Sequence, residues 1–300
     1  MNKIIIAILF IIIGSCKMKN KTDEIKQKII GEWFFTEEEI IPNSNVPLSP
    51  PPFQDSYGYT FGDSDNVEVK SGYFYDLNIP EKETDFKRMG QFLGSFTKYK
   101  IGLDSSLNIY SLSDSSWHRK RIISISDDTL KLKGEFTYVE KYAKFNQKLF
   151  SELKFDKISL KSTGCYGPCP IMKINIYSNG TVQFFGERYT LKKGYFISKI
   201  SPEKYIALAN NFRKINLSTL HNDFAIDASD DNTIIINFWQ GDKLVKVVRD
   251  YGRVSPSPFI CAYAQLEALY QQLELIKIDE KIGKKLFNTQ YPPLNNNKTK

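Results

Sequence analysis

The chain has 300 residues, a formal net charge of +7 and 14% aromatic residues. Charges of both signs are mixed along it, with no basic stripe interleaved with aromatics, which argues against nucleic acid as a partner. It has only two histidines, and no Gly-x-Ser-x-Gly, phosphate loop or His-Glu-x-x-His occurs, so no catalytic machinery or cofactor is expected. The length predicts two domains, and the aromatic–polar alternation favours β structure.

The N-terminus is Met1-Asn2-Lys3, followed by an apolar run from Ile4 to Ile13. That run is about half the ~20 residues needed to span a bilayer as a helix, and it fits the apolar region of a signal peptide. Ile13-Gly14-Ser15-Cys16 then resembles the bacterial lipobox. The resemblance implies a signal peptide over residues 1–15, lipidation of the Cys16 thiol, and acylation of the new amine. The alternative is an ordinary signal peptide cut near Ser15. One acyl chain holds weakly, at about 0.8 kcal/mol per buried methylene, so two or three are needed for durable anchoring. Lys17 rather than Asp follows the cysteine, and resemblance to other lipoproteins favours the outer membrane of the cell envelope. Cleavage would remove one cation, Lys3.

Residues 16–28 are polar and charged and read as a tether. The segment Pro42–Pro52 is dense in Pro, Ser and Asn and reads as a loop or polyproline stretch. Strand-like segments recur at Gly31–Ile41, Tyr57–Phe61, Val67–Tyr75, Gly90–Ile101, Leu107–Leu112, Trp117–Ser124, Thr129–Leu132 and Thr137–Lys141. Turn residues separate them, notably Gly62-Asp63, Asp104-Ser105-Ser106, Asp114-Ser115 and Asp127-Asp128. Eight short strands without a helix predict a meander closed into a barrel, which removes both sheet edges. Gly31-Glu32-Trp33, with the later run Trp117–Tyr138, resembles the start and end of lipocalins and the lipocalin-like domains of bacterial envelope lipoproteins. The usual closing Arg is absent, since Val139 is followed by Glu140. The resemblance implies a lipocalin-like antiparallel barrel over residues 29–148, with Trp33 closing one end. Glu37-Glu38-Glu39 reads as a solvated strand edge.

An α+β domain is expected over residues 153–276. Strands are indicated at Lys154–Lys161, Met172–Tyr177, Thr181–Gly186, Lys192–Lys199, Thr233–Trp239 and Lys243–Val248, with Asn179-Gly180 and Gly241-Asp242 as hairpin turns. A helix follows Ser201-Pro202-Glu203, an N-cap, first-position proline and first-turn acid. A last helix is expected from Pro258 to Ile276, on the stripe Phe259, Ala262, Leu266, Leu269, Leu273 and Ile276. Hairpin–helix occurs twice, so one antiparallel sheet covered by two helices is predicted. Residues 277–300 read as a disordered tail.

The densest motif is Thr163-Gly164-Cys165-Tyr166-Gly167-Pro168-Cys169-Pro170. It resembles the Cys-aromatic-Gly-x-Cys-Pro signature of a family of uncharacterised envelope domains, for which no activity is implied. A Gly/Pro-rich Cys-x-x-x-Cys loop brings two Cα atoms within disulfide range, so a Cys165–Cys169 bridge is the leading reading and leaves Cys261 as the odd thiol. Buried reduced thiols and a redox pair stay open. Metal binding would have only His118, His221 and Cys261 to complete a ligand set. Asp223, Asp227, Asp230 and Asp231 crowd one loop and read as turn and cap residues rather than calcium ligands. The expectation is a membrane-anchored binding module for a small apolar ligand or peptide, housed in the barrel. The alternatives are an assembly subunit docking on another envelope protein and a thiol-redox accessory protein.

Overall fold

A computed structural model describes residues 21–40, 57–78, 88–134, 138–146, 149–150 and 153–287. Cys16, the signal segment and the Pro42–Pro52 stretch lie outside the described residues. The fold is mostly β: an eight-stranded closed antiparallel barrel followed by an eight-stranded mixed sheet with helices.

The barrel strands are β1 (Gly31–Ile40), β2 (Gly58–Phe61), β3 (Asn66–Asn78), β4 (Arg88–Ile101), β5 (Ser106–Ser111), β6 (Ser116–Ile125), β7 (Thr129–Lys133) and β8 (Tyr138–Lys144). Each pairs with the next, and β1 closes on β8. The period-two alternation that marks these strands sends Trp33, Tyr59, Phe61, Val67, Tyr99, Leu107, Leu130, Leu132 and Tyr142 into one buried cluster. Rings interlock there, with Phe61 against Tyr99 at 5.0 Å and Tyr59 against Tyr142 at 5.3 Å. The lumen is therefore packed with the protein's own side chains, which counts against a ligand cavity inside the barrel. Glu37-Glu38-Glu39 lies on β1 rather than after it, and β2 pairs only Gly31–Phe34, so this stretch has a strand partner on the β8 side. These acids lie on β1 where it pairs with β8, and Glu37 and Glu39 form ion pairs with Lys141 and Lys131.

The expected tether is also corrected in its described part. Residues 21–29 form a helix, α1. Ile25 and Ile29, one turn apart, join the barrel core, and the Trp33 indole N–H donates to the Ile29 carbonyl at 2.6 Å. Two isoleucines in a charged stretch make too narrow a stripe to signal a helix by composition. Burial against the barrel floor supplies what propensity does not.

The second sheet contains β9 (Lys157–Ser162), β10 (Ile171–Tyr177), β11 (Thr181–Arg188), β12 (Gly194–Lys199), β13 (Asp223–Ala225), β14 (Thr233–Gln240), β15 (Lys243–Tyr251) and β16 (Ile276–Lys277). Its order is β13-β15-β14-β9-β10-β11-β12-β16. It is mixed rather than wholly antiparallel, because β13 pairs parallel with β15. Helix α2 (Pro202–Arg213) begins as the sequence dictates, with the Ser201 side chain accepting from the Lys204 N–H. Helix α3 (Ser257–Leu269) is shorter than expected. A 3-10 turn follows at Tyr270–Gln272, Leu273 is extended, and Ile276 pairs with Ile197 of β12. The expected disordered tail is corrected over its described part: β16 takes its first residue, and helix α4 (Glu280–Phe287) packs Phe287 on Phe185 and Tyr195. α2 and α3 cover one face of the sheet with Phe212, Phe259, Tyr263 and Leu266.

Candidate binding cleft between barrel and sheet domain

The barrel meets the helical side of the second domain through an ion cluster on its outer wall. Because Trp33, Val67 and Val69 point inward, Glu32, Glu68 and Lys70 point outward. Lys70 Nζ lies 2.9 Å from Glu32 and 2.7 Å from Glu68, and Lys214 beyond α2 reaches Glu32 at 2.8 Å. Gln265 of α3 donates to Glu68 at 3.2 Å. Burial would raise the Glu32 carboxyl, but the Lys70 and Lys214 cations outweigh it and hold it below the usual range. Burial likewise pulls Lys70 down, and Glu68 and Glu32 more than restore it.

Beyond this cluster β3 kinks. Its register with β4 shifts between Glu68 and Tyr73, at Ser71-Gly72. Gly72 has φ +72°, and a Cβ there would lie 2.5 Å from the Phe92 ring, so glycine is required. Past the kink, the outer ends of β3 and β4 lie against the end of α3. The Phe92 N–H donates to Gln271 Oε1 at 2.7 Å, and Gln271 Nε2 donates to the Gly90 carbonyl at 3.2 Å.

A cavity of about 540 Å³ opens between these strands and the second domain. Phe74, Asp76 and Met89 form one wall; Ile260, Cys261 and Ala264 of α3 form another. Pro168 and Pro170 of the cysteine loop complete it. A second cavity, about 340 Å³, shares Ser71, Ala264 and Ala268 with the first. A half-buried ion pair lines the larger cavity: Arg253 grips both Glu267 oxygens at 2.9 and 2.8 Å. Arg253 stands at φ +55°. Its loop is fixed by fully buried Asp250, which accepts from the Val254 N–H at 2.9 Å, the Ser255 hydroxyl at 2.5 Å and the Tyr263 hydroxyl at 3.0 Å.

Cys165 and Cys169 are joined in a disulfide with a Cα–Cα distance of 5.6 Å. The loop is tied down on both sides: the Tyr166 N–H donates to the Asp230 carbonyl at 3.0 Å, and the Ser162 hydroxyl to the Pro170 carbonyl at 2.5 Å. Tyr166 is 91% exposed at its apex. Cys261 is buried, and burial pushes its thiol far above the ordinary range, so it is protonated and unreactive as a nucleophile. Trp33 lies at the barrel floor, fully buried, with the Lys144 ammonium 5.1 Å from its ring. His118 is on the barrel surface, 2.7 Å from Asp114, and His221 lies beside Phe224. Neither lines the cleft. Asp223 pairs with Arg249, and among the described residues no group of three His, Cys, Asp or Glu is placed to hold a metal.

The cysteine loop and Cys261 are the parts of the cleft that the sequence singled out. Arg253, Glu267, Gln271 and the Ser71-Gly72 kink carried no spacing signal. No curated protein and no solved structure matches the chain. Residues 156–276, from the residue before β9 to the first residue of β16, match the family model described as a domain of unknown function (DUF6438), so a DUF6438 domain follows the barrel.

Proposed function

We propose that the chain is a non-enzymatic binding module, held at a bacterial envelope membrane by a lipid on Cys16, whose ligand site is the cleft between barrel and DUF6438 domain. The observation that carries this reading is the cleft itself. Its volume of about 540 Å³ falls in the range of small-molecule sites, and its lining is largely apolar with a few fixed polar groups. Tyr57, Phe74, Met89, Met172 and Leu191 suit an apolar body; Asp76 and Gln271 suit a polar end. Such a lining fits a small apolar molecule or an apolar peptide segment. The ion pair and the disulfide keep two of the walls preorganised, which lowers the entropy cost of binding.

Ala264 lines both cavities, so Ala264→Trp fills them without touching the barrel lumen. With 1-anilinonaphthalene-8-sulfonate as probe, the unmodified chain is expected to bind, and A264W to bind at least tenfold more weakly with its thermal midpoint preserved. Unchanged probe affinity in A264W overturns the cleft reading. The anchor has its own test, the intact mass of the chain recovered from its membrane. A diacylglyceryl adduct on Cys16 is expected, and an unmodified cysteine ends that part of the proposal.

A further inference from the structure

The polar groups that line the larger cavity are not equally engaged. Arg253 meets Glu267 through one nitrogen, Nη2, which donates to both carboxylate oxygens. A guanidinium carries five N–H donors and no acceptor. Among the described residues the Nη1 and Nε groups of Arg253 have no hydrogen-bond acceptor. The side chain is 31% exposed and borders the cavity, so a bound molecule can reach it. Its backbone adds a second observation. Arg253 stands at φ +55° directly after Gly252 at φ +80°. Left-handed backbone is uncommon for a residue with a side chain, and it persists where the surrounding structure enforces it. Here the hydrogen bonds to Asp250 enforce it and fix the guanidinium at the cavity wall.

Tyr57 supplies a further donor. It is half-buried, borders the same cavity, and its hydroxyl has no partner among the described residues. Burial pushes its pKa up, with the nearby Arg253 charge pulling the other way, so it keeps its proton at neutral pH. Two carboxylates also line the cavity. Glu267 has both oxygens on Arg253, and Asp76 is exposed, where the high dielectric of water weakens its repulsion of an anion.

We propose that the ligand of the cleft is an amphiphilic monocarboxylate, an apolar body ending in one acid group that Arg253 and Tyr57 hold. This rests on the cleft reading above and names its ligand class. A carboxylate accepts at both oxygens, and its bonds to a cationic donor belong to the stronger kind. The guanidinium would then be shared by two carboxylates, as the Lys70 ammonium is shared by Glu32 and Glu68. An uncharged apolar molecule would cover the free N–H groups without pairing them. An ammonium has no acceptor to offer them and is repelled by the cation.

Decanoate, decanol and decylamine vary the head group on one apolar chain. Their competition with N-phenyl-1-naphthylamine, an uncharged fluorescent probe, on the full chain tests the proposal. Decanoate is expected to compete at least tenfold more tightly than decanol, with decylamine weakest. Arg253→Gln should remove that preference and, by leaving Glu267 without its counter-charge, turn it towards decylamine. Tyr57→Phe keeps the ring and loses the O–H; it should weaken decanoate several-fold, and it decides the matter if R253Q does not fold. The proposal is overturned if decanol or decylamine binds as tightly as decanoate, or if either folded variant binds decanoate unchanged. The two readings fail separately. Loss of the probe in A264W with three equal head groups ends only the carboxylate assignment, whereas unchanged probe and decanoate affinity in A264W ends the cleft reading and this one with it.

Discussion

Lys70 illustrates how one residue couples the two domains. Its side chain is 6% exposed and its ammonium is shared by Glu32 and Glu68, while Glu32 is shared in turn with Lys214 across the interface. Removing one partner of a buried ion cluster leaves uncompensated charge, at a cost of about 3 kcal/mol. Lys70→Met is therefore expected to lose about that much stability at pH 7 by urea unfolding. The pH dependence has a definite sign. In the unmodified chain the folded Glu32 carboxyl lies below its ordinary value of 4.5. It contributes stability above that value, lost as pH falls through its folded pKa. In K70M the cation is gone, and burial, the largest influence on Glu32, favours the protonated acid. The stability gap between the two proteins should thus narrow between pH 7 and pH 4. A gap that stays constant or widens would show that Lys70 acts through packing alone.

At the scale of elements, what the sequence made legible is what local chemistry fixes. The barrel hairpins were readable because alternation has a strict period and the turns carry Gly, Asp and Ser, as at Gly62-Asp63, Asp104-Ser105-Ser106 and Asp114-Ser115. Ser201-Pro202-Glu203 announced α2 for the same reason. The Cys165–Cys169 bridge was legible because its ring closes within five residues of sequence. Elements stabilised by distant partners were not readable. α1 has two core residues, Ile25 and Ile29, and forms against a barrel floor assembled from the rest of the chain. β13 is three residues long and pairs parallel with β15. Leu273 and Ile276 keep helical spacing after α3, yet the chain turns extended there because β12 offers a free edge to Ile276. The cleft belongs with this second group. Its walls come from β3 and β4, the cysteine loop, the Arg253 loop and α3, and no spacing in one dimension brings those segments together.

At the scale of the whole molecule, the question is whether barrel and sheet domain behave as one body. The interface joins them at separate points: the Glu32–Lys70–Lys214 cluster with Gln265 of α3 donating to Glu68, and the Gln271 clamp on the β4 backbone. Two cavities interrupt the same interface, and unfilled space forfeits the contacts that would otherwise line it. The buried ionic contacts are costly to separate, because opening would have to break them together. A single cooperative unfolding unit is therefore expected. Hydrogen exchange in increasing urea, read on peptides covering β5–β6 and β9–β10, should give both regions one opening free energy and one denaturant dependence. An apolar probe in the cleft should raise both by the same amount, since a ligand that binds only the native state stabilises whatever must open to release it. Distinct opening energies for the two regions, or a probe that protects only one of them, would show that the domains open separately.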